Sequence, residues 1–251
     1  INREVKIYDG YSASSALAEY SIDSVGLRLA GGRNLGNWGR ISLAYARYTG
    51  DASLKSGTSA PDSYDFDVGE LELRLAVDTL DNVAFPTRGW RGFVYGRMSR
   101  TDLGADSDFE QYGFSAMRAG SRGPHLFSAL AYFESTPNDG APFQSLFSLG
   151  GFARLSGYSE NQLSGQHAGL LRGAYMYDLD TSFVSTYVGG TAEYGGVWQK
   201  QDDISFDNSI FAGSLFVGVD TVIGPVFLGY GHAEGGNSGI YLFLGKPWFR
   251  F

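Results

Sequence analysis

Glu70, Glu72 and Arg74 stand two residues apart, and that spacing decides what chemistry such groups can do. Residues at i, i+2 and i+4 share a face only on an extended strand. Acids and bases alternating along one strand face make a charge-balanced, hydrated wall. Bond-making chemistry instead needs a nucleophile, a base and an orienting group converging from different elements. The remaining candidates, Glu193 and Asp220 with Arg91, Arg97 and Arg172, are spread along the chain and read as further wall residues. Asp139-Gly140-Ala141 could supply the acid of a serine hydrolase, but no Gly-x-Ser-x-Gly nucleophile turn occurs in the 251 residues, so Asp139 reads as a turn residue. Three scattered histidines (His125, His167, His232) and the absence of cysteine exclude thiol catalysis, disulfides and Cys-based zinc sites. The sequence therefore predicts no catalytic residues, no metal and no cofactor. A formal charge of −8 without a basic cluster also excludes nucleic acid as a partner.

The elements that must carry such a wall are strands. In "VGELELRLAVDT", Leu71, Leu73, Leu75 and Val77 fall on one face, and Glu70, Glu72, Arg74 and Asp78 on the other. Strict alternation is what a strand shows when its two faces meet different media. The same period sets Val25, Leu27 and Leu29 against Arg28, and Phe127, Ala129, Ala131 and Phe133 against Ser128 and Glu134. It recurs in Leu171, Tyr175 and Tyr177 against Arg172, and in Leu215, Val217 and Val219 against Ser214. About twelve strands result, near residues 2–10, 18–31, 39–50, 65–79, 89–101, 107–121, 125–136, 167–180, 183–200, 208–222, 225–234 and 237–249. The connections alternate between short turns and longer polar loops at 51–64 and 137–166. Thirty-six glycines and 34 phenylalanines and tyrosines suit strands and tight turns. A soluble sandwich also alternates, but strands this long with one continuous apolar face suit an all-β transmembrane antiparallel β-barrel. No apolar run reaches the length of a spanning helix. The start, "INREVKIYDG", is not a signal peptide and reads as a processed terminus or the cut edge of a longer chain.

One loop is too particular to be a connector. "SLGGFARLSGYSENQLSGQHAG" places Gly150, Gly151, Phe152, Arg154, Leu155, Ser156, Gly157 and Tyr158 together, mixing glycines with side chains that prefer burial. It resembles the loop of patatin-type autotransporters, a branch of the outer-membrane surface-antigen superfamily that also holds the barrel-assembly factor. In that superfamily a Val-Arg-Gly-Tyr/Phe signature on this loop is inserted into the lumen. The matching residues are Leu155, Ser156, Gly157 and Tyr158, so the signature arginine is a serine here. The resemblance leaves Arg154, two residues earlier, to take over the ionic contact with a wall carboxylate.

Two further stretches resemble the same superfamily. "DTLDNVAFPTRGW" resembles its periplasmic turn through Asp78, Asp81, Phe85, Pro86, Thr87, Arg88 and Gly89, with Asp81 and Arg88 expected to bond the turn backbone. "NSGIYLFLGKPWFRF" resembles the β-signal read by the outer-membrane insertion machinery through Asn237, Gly239, Leu242, Leu244 and the terminal Phe251. The resemblance implies that residues 1–251 form one outer-membrane translocator barrel with an inward-folded loop. It also implies a family barrel of sixteen strands against the twelve counted. Either the first strands are missing from this chain, the reading favoured here, or this member makes a smaller or incomplete barrel. The implied role is to anchor and help export an N-terminal patatin-like lipase passenger. The implied partners are outer-membrane lipids, the barrel-assembly machinery and the passenger, with a homodimer left open. The rival readings are a porin-like pore, another translocation or assembly barrel of the superfamily, and a barrel lipid hydrolase. The hydrolase would need a serine–histidine pair at one rim.

Overall fold

A computed structural model describes residues 2–7, 18–57, 63–181 and 184–245. The chain forms β1 (Asn2–Ile7), β2 (Ala18–Leu35), β3 (Gly39–Gly57), β4 (Tyr64–Asp78), β5 (Gly89–Ser99), β6 (Phe109–Arg122) and β7 (His125–Ser135). A small hairpin follows, β8 (Phe147–Leu149) with β9 (Leu163–Gly165). Then come β10 (His167–Asp178), β11 (Thr186–Trp198), β12 (Ile210–Thr221), β13 (Gly224–Ala233) and β14 (Ser238–Leu244). Twelve of these make one sheet in chain order, each strand antiparallel to the next, with β7 passing directly to β10. Among the described residues β1 and β14 are not paired with each other, and the sixteen strands implied by the resemblance are not seen.

The alternation is expressed as two unlike faces. Val25, Leu27, Leu29, Leu73, Phe127, Leu171, Leu215, Leu228 and Leu242 are exposed on one face, whereas Glu70, Glu72, Ser128, Arg172, Glu193 and Ser214 are buried on the other. That is the reverse of a soluble protein, in which the apolar face is covered. The sheet is strongly curled. Phe85, between β4 and β5, stacks on Tyr187 of β11 with ring centroids 4.0 Å apart, and lies 5.3 Å from Phe227 of β13. In a flat sheet β5 and β11 would stand about 19 Å apart, four spacings of about 4.8 Å.

Two expectations about connections are corrected. Residues 51–57 continue β3 and are not loop. Residues 137–166 are not an unbroken loop, because they hold a 3-10 turn at Phe143–Ser145 and the β8–β9 hairpin.

Substituting Leu73 by Arg should lower unfolding stability by about 2–4 kcal/mol if the residue lies near the bilayer midplane. Cysteines placed at 71 and 73 should react with a lipid-soluble label, and cysteines at 70 and 72 should not. The reverse pattern would invert the two faces.

Candidate functional site

The large core lies on the polar face of the sheet and is made by the 150–158 loop. Phe152, Ala153, Arg154, Leu155, Ser156 and Tyr158 are all buried. They pack with side chains from β7, β10, β12 and β13, including Leu130, Leu170, Phe216 and Phe227. β13 makes room through two glycines on its covered face. A Cβ at Gly229 would stand 2.8 Å from the Phe152 ring, and one at Gly231 would stand 2.6 Å from the Ser156 Cβ. Gly157 is held at φ +115° with its α-carbon pressed toward the backbone of Ala233 and Asn237, a position that only glycine fills without strain.

Ser156 makes the contact that fixes the loop. Its N–H donates to Glu193 Oε2 at 2.6 Å, and its hydroxyl donates to Oε1 at 2.7 Å. Thr191 donates to the same Oε1, and the Ala153 N–H donates back to the Ser156 hydroxyl at 2.9 Å. Arg172, the partner of Glu193 across the β10–β11 ladder, donates to the Ala153 carbonyl at 2.8 Å. Glu193 is 1 % exposed and Arg172 3 %, so neither lines the wet wall expected for them. Ser156 bonds the wall carboxylate from the signature position, while Arg154 bonds the Ser148 carbonyl at 2.9 Å and reaches Asn161 at 3.5 Å. A serine contact with glutamate could not be read from sequence, because Glu193 looks no different there from Glu70 or Glu72.

The loop also meets the start of the C-terminal segment. The Gly157 N–H donates to the Tyr241 hydroxyl, which donates in turn to the Tyr158 carbonyl, both at 2.7 Å. The Tyr158 side chain bonds Asn237. Gly239, Leu242 and Leu244 lie on β14, with Leu242 and Leu244 exposed on the apolar face. Phe251 lies outside the described residues.

At the opposite end the 79–88 turn is built on Asp81. Its Oδ1 accepts from the backbone N–H groups of Asn82, Thr87 and Arg88 at 3.0, 2.9 and 3.1 Å, and Oδ2 accepts from the Thr87 hydroxyl. Asn82, which the sequence reading passed over, caps the N–H groups of Ala84 and Phe85. Asp78 pairs with Arg91 at 3.1 Å. Pro86 and Gly89 complete the bend and leave Phe85 directed inward, against Tyr187 and Phe227. Phe227 is also 6.1 Å from Phe152, so one ring joins the turn at one end to the loop from the other.

Beside the loop, a polar cavity of about 570 Å³ remains against the β3–β7 wall. Glu72, Arg74, Tyr95, Arg97, Tyr132 and Glu134 line it. Asp220 instead stands exposed at the end of β12 that carries the short turns.

A serine–histidine–aspartate chain does occur at the base of the loop, and its polarity is wrong for hydrolysis. Ser135 Oγ lies 2.8 Å from His167 Nδ1, and Asp139 Oδ1 lies 2.6 Å from Nε2. A catalytic triad puts the serine on Nε2 and the acid on Nδ1. Ser135 and His167 are also closed off from solvent. Asp139, at φ +49°, remains a turn residue that pins the start of the loop to β10. Among the described residues no group of three or more His, Cys, Asp or Glu could hold a metal.

Two outcomes test this geometry. Glu193→Ala strands a buried N–H and hydroxyl of Ser156, at about 1–3 kcal/mol each, so protease cleavage within 150–160 should rise sharply while the strands persist. Burial alone would raise the Asp81 pKa, but its bonds from Thr87, Arg88 and Asn82 prevail and hold it below the ordinary value. The bonded turn is then favoured above the ordinary aspartate pKa and weakens as pH falls through the depressed one. Acid titration of turn amide exchange should show that loss, and Asp81→Asn should remove the pH dependence.

No curated protein matches the sequence. The fold is similar to the crystal structure of BamA from Haemophilus ducreyi lacking POTRA domains 1–3, with a TM-score of 0.74 at 14 % identity over 96 % of this chain. The chain spans 56 % of that structure's length. The family model for the Omp85 superfamily domain matches residues 2–225. With the apolar face outward, the polar face filled and nine-tenths of the chain within that model, the protein belongs to the Omp85 superfamily and resides in the bacterial outer membrane.

Proposed function

We propose that this domain is the translocator barrel of a patatin-type autotransporter, anchoring and helping to export a lipase passenger that precedes it, with the 150–158 loop folded into its lumen. The observation that carries this reading is Ser156 bonding Glu193 from the position where the broad superfamily signature has arginine. The Leu-Ser-Gly-Tyr version of the signature resembles the patatin-type branch, and the serine–glutamate contact gives that version a physical use. The segment Asn237–Leu244 serves as the signal to the insertion machinery, and the domain itself performs no covalent chemistry. Translocation or assembly without a lipase passenger is the broader reading that family membership supports. A wide passive pore fits poorly with the loop and Phe85 packed in one core against the polar face of the sheet.

The coding sequence upstream of residue 1 tests the assignment. A Gly-x-Ser-x-Gly domain is expected there, and periplasmic repeats alone would assign the chain to another branch. The loop is tested separately. Deleting residues 150–160 should leave membrane insertion intact and raise conductance in planar bilayers, with Ser156→Ala acting the same way more weakly. Unchanged conductance, with the wild-type loop open to protease from outside, would place the loop on the surface.

A further inference from the structure

The outward, apolar face of the sheet is not evenly filled. In the ladders joining β6 to β13, Arg118 pairs with Ala129, Ala129 with Gly173, Gly173 with Ala192, Ala192 with Gly213, and Gly213 with His232. Bulky residues border this row on both sides, Phe127, Tyr175 and Leu215 on one and Leu171, Tyr194 and Phe211 on the other. Depressions of about 660 and 700 Å³ lie along this row, and a third of about 1140 Å³ joins it at Gly173 and Ala192 and runs on over Gly190 toward Val188 and Leu228. From Arg118 to His232 this trough of small residues crosses six neighbouring strands, about 24 Å, the scale of a fatty acyl chain.

Arg118 makes one end of the trough unlike the other. It lies four residues before the end of β6, about 10 Å inside a tilted strand's terminus, on a face that meets hydrocarbon. An arginine there is costly unless its charge is met. Three polar-face arginines are met by carboxylates: Arg28 and Arg74 pair with Glu72, and Arg97 with Glu70. Arg118 has no carboxylate within reach among the described residues, only the Trp90 ring 4.8 Å from its guanidinium carbon. Arg122, on the same face at the strand end, likewise has no acidic partner among the described residues. The opposite end of the trough carries His232 and Glu234, so the charge gradient along it orients an anionic group toward Arg118.

The geometry points to a binding site for one anionic glycerophospholipid, its phosphate held by Arg118 and Arg122 beside Trp90 and one acyl chain laid along the Ala129–Gly173–Ala192–Gly213 trough. A phosphate supplies the charge that both arginines lack, and guanidinium–phosphate hydrogen bonds strengthen in low dielectric. The small side chains let the acyl chain pack on the backbone where bulkier residues would hold it away. The inference does not depend on what the domain translocates.

Native mass spectrometry of the folded barrel in detergent, titrated with phosphatidylglycerol or phosphatidylcholine of identical acyl chains, tests it. One phosphatidylglycerol should be retained about tenfold better than phosphatidylcholine, a difference of about 1.4 kcal/mol. The double substitution Arg118→Gln with Arg122→Gln should abolish the preference, and the corresponding Lys pair should keep most of it. Gly173→Leu, which fills the trough, should weaken retention of both lipids. Heat-modifiable migration on gels confirms that each variant is folded. Equal retention of the two lipids, or a preference that survives the Gln pair, overturns the site. A Gly173→Leu variant that loses a dimeric mass without changing lipid retention would instead assign the trough to a second copy of the chain.

Discussion

A buried carboxylate sets the terms for the interior of this domain. Glu193 is buried, and a carboxyl group in that position is tolerated only if hydrogen bonds replace its solvent. The replacement comes from the loop: the Ser156 N–H and hydroxyl, with Thr191 completing the set. The dependence is mutual. Without Glu193 the loop backbone would bury unsatisfied donors, and without the loop the glutamate would face a wet interior in which any conformation served. Serine does here what a longer cationic side chain would do at greater reach. It brings the backbone itself against the wall, so the loop is held by main-chain geometry as well as by a side chain.

That close approach propagates into the strands. A loop backbone touching the wall requires that the wall have no side chains at the contact, and β13 alternates Leu228 and Tyr230 on the outward face with Gly229 and Gly231 beneath the loop. Phe152 then fits against Gly229 and meets Phe216 and Phe227, with Phe85 arriving at Phe227 from the opposite end. The loop and the 79–88 turn are thereby parts of one aromatic core, although some 65 residues separate them in the chain.

The strands were legible because the two faces meet different media. From Val68 to Thr79 the sequence states which residues go where, and the burial of Glu70 and Glu72 against the exposure of Leu73 follows it. The pattern fades where that contrast ends. Residues 51–57 continue β3, but Asp51, Ser53 and Lys55 occupy positions where no apolar side chain is called for, so they read as loop. The turn at Asp81 was legible through local chemistry, since a carboxylate capping its own turn needs nothing distant. The Ser156–Glu193 contact was not, because the residues lie 37 apart and nothing local distinguishes Glu193 from the other wall carboxylates. Asp139 shows the converse. Without a nucleophile turn its Asp-Gly-Ala context already reads as a turn, and what the sequence leaves out is the bond to His167 that makes this turn an anchor for the loop.

Glycine ties the two faces together. On the covered side it removes side chains so that protein backbone can approach, as at Gly229 and Gly231; on the outward side Gly173 leaves open space, and Gly190 and Gly213 let neighbouring strand carbonyls stand close while lining the depressions there. A strand interior loses stability with each glycine, through backbone entropy and lost packing. Carrying several on one sheet is sustainable only if something else fills the space and recovers the dispersion contacts. Inside, the loop does so with Phe152 and Ser156. Outside, the trough beside Arg118 presents the same vacancy to the bilayer, and what fills it must come from there.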